Sequence, residues 1–389
     1  MSFLRTLPTR RLIAFLVAVL ALAGGGAAIA VAASGGGPTP PPKPLDRAIH
    51  DALAAPAPDG VTARVKFTNK LFPAGALLGN AGSALMSGAS GRLWLTNDGR
   101  GRIELQSDAG DAQIVWNSST VSIYDASSNT VYRASLPARP SDASGSNSVP
   151  ALSEIDNLLS EFGAHATISN AQLASIAGRP AYTVSVSPKH DGGLLASAEL
   201  AWDAEHGVPL RVGIFAQGSN APVLELTVTD ISYGSVPASD VDVQPPAGAH
   251  VVDLSSSAAH GRSPGKAAAV TGLANVQAAA GFTVSAPASL VGLPRKDVRL
   301  VGSADSKAAL VVYGQGLGAI LVVERKGDAM PQDSGVLSSL PTLSLDGITA
   351  HELATQLGTV LQWRSGGTIY VLAGSLPPAA AEAAARQLK

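Results

Sequence analysis

Four places in this 389-residue chain carry residue types that do chemistry in other settings. Gly314-Gln315-Gly316-Leu317-Gly318-Ala319 has the letters of the dinucleotide fingerprint G-x-G-x-x-A. That fingerprint needs a helix directly after it, because the pyrophosphate rests on a helix N-terminus. Ile320-Leu321-Val322-Val323 reads as a strand, so these glycines predict a hairpin turn. His351-Glu352 opens the zinc motif H-E-x-x-H, but residue 355 is Thr and the second imidazole is missing. Ser263 and Lys266 have S-x-x-K spacing, yet they stand in a small, polar linker and not at a helix start. Asp108 and Asp111 fall among turn residues, where carboxylates are solvated. With no cysteine there is no thiolate nucleophile or ligand, and no two of the seven histidines lie at ligand spacing. The expectation is a protein without enzymatic activity, catalytic residues, metal or cofactor.

Composition narrows what it binds instead. Lys plus Arg number 27 against 29 Asp plus Glu, a net charge of −2, so no global field attracts nucleic acid. Charged residues are 14%, below the roughly 25% of an average soluble chain, and hydrophobic residues are 46%, which excludes a disordered polar chain. Aromatics at 4% are too few for base-stacking platforms.

The first residues predict a place. Arg5, Arg10 and Arg11 precede an uncharged apolar run over 12–33, and about 20 such residues span a bilayer. Ala28-Ile29-Ala30 and Ala30-Val31-Ala32 would equally suit a signal peptidase, so residues 1–33 read as an anchor or a cleaved signal. Either way the positive-inside rule sends the body across the membrane. Residues 34–44, Gly-rich and then Pro-rich, read as a semi-stiff stalk.

From 45 the chain must build whatever does the binding. Leu45, Ile49 and Leu53 recur at helical spacing up to Pro56, and a second helix reads through Leu152, Ile155, Leu159 and Phe162. Between and beyond them about ten short runs alternate with period two, separated by Asn, Asp, Gly and Ser clusters. Leu93 and Leu95, Ile103 and Leu105, Trp116, Ile123, Tyr182 and Val184, Leu200 and Trp202, and Val212 and Ile214 mark one apolar face. Two helices, each about 10 Å wide, cannot roof ten strands about 4.8 Å apart. The sheet therefore curls, leaving either an apolar trough lined by those residues or a fully packed barrel. The uncharged segment 71–90, with Leu71, Phe72, Leu77, Leu78, Leu85 and Met86, reads as a flap over the trough or as a buried hairpin.

Gly91-Arg92-Leu93-Trp94, Arg102-Ile103-Glu104-Leu105, Ile114-Val115-Trp116-Asn117, Val121–Asp125 and Asn129–Tyr132 together resemble the outer-membrane lipoprotein carrier (LolA-like) family and the related RseB-like lipoprotein sensors. Gly178-Arg179-Pro180-Ala181-Tyr182, Trp202-Asp203 and Gly207-Val208-Pro209-Leu210-Arg211 extend the likeness, which covers about residues 45–250. The resemblance implies an incompletely closed antiparallel half-barrel with capping helices, an α+β fold that takes acyl chains or lipidated protein on its concave face. It implies holding, local transfer or sensing in the periplasm, or alternatively a signalling module that contacts an anti-sigma factor or another membrane regulator. Residues 251–268 read as a linker and 269–389 as a smaller α+β domain, whose Gly281–Pro287 and Trp363–Gly374 resemble modules appended to extracytoplasmic regulators.

Overall fold

The structure, a computed structural model, describes residues 37–71, 84–136, 149–164, 166–189, 193–253, 270–302, 307–315, 318–327 and 340–388. The chain divides into two compact units. One is made of Met1–Lys70, Ala81–Lys189 and Ala196–Ser255, the other of Leu71–Asn80, His190–Leu195 and Ser256–Lys389. The apolar run 12–33 and the Ser263/Lys266 pair lie outside the described residues. Among the described residues, no helix is long and apolar enough to cross a membrane.

Unit one opens with α1 (Leu45–Ala54), β1 (Gly60–Asn69) and the short α2 (Ala84–Ser87). Then come β2 (Ala89–Thr96), β3 (Gly101–Ser107), β4 (Gly110–Trp116), β5 (Thr120–Asp125) and β6 (Thr130–Ser135). Helix α3 (Leu152–Gly163) leads to β7 (Ala166–Ile168), β8 (Gln172–Ile176), β9 (Arg179–Pro188), β10 (Leu195–Asp203), β11 (Pro209–Ala216) and β12 (Pro222–Tyr233). Helix α4 (Ala238–Val241) and β13 (His250–Asp253) complete it. Thirteen strands form one sheet in the order β13-β6-β5-β4-β3-β2-β1-β12-β11-β10-β9-β7, with β8 also on β9. Successive hairpins make it antiparallel; β13 is the exception, lying parallel to β6. The first strand pairs with both β2 and β12, so the meander and the second strand group are one curved surface.

Both predicted helices form. α1 stops where Ala55, ahead of Pro56, turns extended. α3 starts with the Glu154 carboxylate accepting from the Ala151 N–H at 3.0 Å, half of a capping box. They bury Ala48, Ile49, Ala52 and Ile155 against Tyr182, Val184, Leu200 and Trp202, which lie in register on β9 and β10. The expected stalk does not extend freely along its whole length. Pro40 is buried, the Pro41 carbonyl accepts from the Tyr182 hydroxyl at 2.7 Å, and Lys43 pairs with Asp51 at 2.6 Å.

Unit two contains α5 (Leu273–Ala280), β14 (Ser289–Leu290), β15 (Leu293–Val301), β16 (Ala308–Tyr313), β17 (Ile320–Lys326), β18 (Thr342–Leu345), β19 (Ile348–Ala354), β20 (Thr359–Ser365), β21 (Thr368–Gly374) and α6 (Pro378–Arg386). The sheet order is β14-β15-β16-β17-β21-β20-β19-β18. β16 and β17, which flank the fingerprint segment, pair antiparallel with Tyr313 opposite Ile320, and a strand, not a helix, follows the fingerprint; Gly316 and Leu317 lie outside the described residues. His351 and Glu352 sit on β19, a strand, and not on a zinc-binding helix. Both helices pack on one face of the sheet, with Val276, Ala381 and Ala384 against Val311, Val322, Leu361 and Trp363.

Glu324 occupies a position on that apolar face where alternation from Ile320 and Val322 calls for another hydrophobe. It is 0% exposed; one carboxylate oxygen accepts from the Ser285 N–H at 2.8 Å, and the other has no partner among the described residues. Burial pushes its pKa up to about 7, against which the Ser285 bond works. The folded state therefore keeps a proton that the unfolded chain gives up near the ordinary carboxylate pKa of 4.5. Unit two should lose stability as pH rises from about 4.5 to about 7 and level off above that. Glu324→Gln should flatten this dependence in thermal melts taken across that window.

Candidate functional site

The two helices roof only part of the concave face of unit one. They cover β9 and β10; the adjoining stretch from β11 through β12, β1, β2 and β3 to β4 is left as an open trough of about 690 Å³. Cross-strand register sets its lining. Ala63 stands opposite Leu93 and Ile231, Val61 opposite Leu95, Leu93 opposite Ile103, and Val212 opposite Leu226. Paired side chains share a face, and here that face is almost wholly aliphatic.

Trp116 closes one end. Its indole lies across Gly101, the residue opposite it on β3, at a point where any Cβ would collide with the ring. At the other end the C-terminal residues of α1, Ala52 and Leu53, and the loop through Ala57 and Pro58 meet the β10–β11 turn of His206, Gly207 and Val208. Gly207 has φ +65°, and a Cβ there would strike the Ala52 carbonyl, so only glycine allows this close approach.

A buried carboxylate fixes that turn. Asp203, 0% exposed, accepts from Arg179 at 2.8 Å, the Tyr233 hydroxyl at 2.7 Å, and the backbone N–H groups of Glu205 and His206 at 2.8 and 3.0 Å. Burial alone would raise its pKa, but the hydrogen bonds from Tyr233, Arg179 and the two amides outweigh it and hold the carboxyl below its ordinary value. The same burial and hydrogen bond raise the Tyr233 hydroxyl. The His206 ring stacks on Tyr233 with centroids 4.0 Å apart, placing an imidazole at the rim. Asp203, Glu205 and His206 come close enough to hold a cation. The Arg179 guanidinium already occupies that position, bonded to Asp203 and, at 2.6 Å, to Glu205.

Of the residues expected along the trough, Leu93, Leu95, Ile103, Trp116 and Val212 line it. Tyr182, Val184, Leu200 and Trp202 share the face but are covered by α1 and α3. Leu105 is buried beside Ala112 in the core under α2. Ile123, opposite Ile114 on β5, and Ile214, opposite Leu224 on β11, lie on the same face beyond the trough lining. Leu85 packs into the core of β1 and β3, and its carbonyl accepts from Asn69 at 2.7 Å; Met86 is half-buried. Leu71 is partly exposed, while Phe72, Leu77 and Leu78 lie outside the described residues. Lining residues beyond the expected set include Val61, Ala63 and Val65 of β1, and Leu210, Leu226, Val228 and Ile231 of β11 and β12. Their own two-residue alternation carried the signal, and reading it through the register with Leu93 and Leu95 finds them.

No family model matches this chain, and no curated protein does. Solved structures do resemble it loosely. The complex of MucB with MucA(peri) aligns at 15% identity and TM-score 0.41, covering 89% of this chain and 96% of that one. The Pseudomonas aeruginosa MucA/MucB complex aligns at 16% and 0.40, covering 88% and 94%. A putative outer membrane lipoprotein-sorting protein domain from Vibrio parahaemolyticus aligns at 12% and 0.23, covering 51% and 95%. Likenesses this loose carry nothing about ligand or partner to this chain.

Removing the Asp203 carboxylate leaves Arg179 with only the exposed Glu205 as an ion-pair partner among the described residues, and strands a buried Tyr233 hydroxyl and two backbone N–H groups. Asp203→Ala should cost about 3 kcal/mol in urea unfolding, whereas Glu205→Ala, whose side chain is mostly exposed, should cost under about 1 kcal/mol.

Proposed function

We propose that this chain is a non-enzymatic cell-envelope protein whose unit one takes an acyl chain, of a lipid or of a lipidated protein, into the trough. The observation that carries this reading is the open aliphatic channel of about 690 Å³ beside a core that the helices do fill. Each methylene moved out of water gains about 0.8 kcal/mol. A chain of about a dozen carbons thus supplies several kcal/mol after ordering costs, with no hydrogen bond needed. Leu93, Leu95, Ile103, Trp116 and Val212 make the contacts, joined by Leu226 and Val228. The basic start, apolar run and Pro-rich stretch of residues 1–44 support a body outside the cytoplasmic membrane. A body held there suits holding, local handover or sensing better than shuttling between membranes.

Native mass spectrometry and solvent extraction of the purified protein test this. Bound acyl lipid is expected, and Leu95→Asp should reduce retention about tenfold or more, since a carboxylate in an apolar trough costs more than about 1.4 kcal/mol. Circular dichroism checks that the variant folds. Protein that carries no lipid, takes up no fatty-acid probe and instead captures a membrane regulator would replace this reading with the regulatory one.

A further inference from the structure

The opposite face of the same sheet carries a different feature. Strand alternation sends Arg64 and Lys66 of β1 and Arg92 of β2 outward, where all three are exposed and line one shallow cleft with Ser90, Gln106 and Thr229. Arg64 and Arg92 are directly opposite in register, an arrangement of like charges that destabilises a strand pair unless an anion sits between them. None of the three has an ion-pair partner among the described residues. Asp230, opposite Arg64, makes no pair with it, and Glu104, opposite Arg92, is taken by Arg102. Two other arginines of unit one are paired, Arg100 with Asp98 and Asp242 and Arg211 with Glu199 and Glu225, whereas exposed Arg133 on β6 is not paired among the described residues and stands without a like charge opposite it.

We propose that Arg64, Lys66 and Arg92 form a docking surface for the phosphate headgroups of an anionic bilayer. Charge complementarity selects an anion. Among the described residues that line the cleft, Val65 turns inward and every outward side chain is polar or charged, which selects a headgroup layer over an acidic protein, because specific protein interfaces are anchored by apolar and aromatic side chains. Nearness supports the same occupant. Pro40 and Pro41 are fastened to unit one, so only residues 34–39 separate it from the apolar run, a reach of at most about 21 Å. That clause rests on the anchor reading; the patch itself is independent of the trough.

The chain lacks cysteine, so Ser90→Cys allows a polarity-sensitive dye to be placed at the cleft of the full chain. The labelled chain is reconstituted with phosphatidylcholine vesicles and with vesicles containing phosphatidylglycerol. On the anionic vesicles at low salt, the dye should shift to the blue and be shielded from iodide, and high salt should reverse both. Arg64→Gln and Arg92→Gln should each weaken the effect about fivefold, while Leu95→Asp leaves it unchanged. Equal dye signals on neutral and anionic vesicles, or no effect of either arginine variant, overturn the proposal. So does protection by polyglutamate or inorganic phosphate without protection by the anionic vesicles. Failure of the chain to float with neutral vesicles would remove the anchor reading alone. The patch is then tested by flotation with anionic vesicles only, where absence of binding overturns it.

Discussion

Unit one is governed by a mismatch of areas. Its thirteen-strand sheet presents an apolar concave face far wider than two helices can cover. Burying a hydrophobic face is what stabilises a layered domain, and α1 and α3 do that over β9 and β10 with tight cores around Trp202 and Ile155. The uncovered remainder is stabilised less, and a chain fold that leaves it so has surface to offer a hydrocarbon guest.

The architecture was largely readable from period-two alternation. Parity placed Leu93, Leu95, Ile103, Tyr182 and Trp202 on one face, and the register shows that face to be continuous. Parity alone does not say which part of a face the helices cover. Ile155 and Ile49 reach Trp202 and not Leu95 because of where α1 and α3 land, a long-range outcome that no local pattern encodes. The short helix Leu273–Ala280 is signalled in the sequence chiefly by Gly281, left-handed at φ +78°, at its end. Its alanine-rich sequence gives little periodic contrast between a buried and an exposed face. The small Val61/Ala63 pair on β1 was equally quiet.

Two buried carboxylates show how the same cost is met differently. Asp203 is surrounded by donors, stays ionised and locks a turn at the rim of the trough. Glu324 has one amide and two neighbouring tyrosines, Tyr313 and Tyr370, whose own pKa values are raised by burial and by its charge. The first is a structural staple whose loss strips a cation of its buried partner; the second takes up its proton in the folded state as pH falls through about 7. A carboxylate therefore reads as rigid or as titratable only once its partners are counted.

The hydrogen bond from Tyr182 to Pro41 has a mechanical side. The tyrosine ring is wedged beneath α1 and tilted against Trp202 at 6.0 Å, while its hydroxyl grips the strand of chain that enters the fold. Tension arriving from the amino-terminal direction is thus borne first by Pro41 and by the Lys43–Asp51 clasp on α1. The second of these joints and the cover that shuts one side of the channel are the same ten-residue helix.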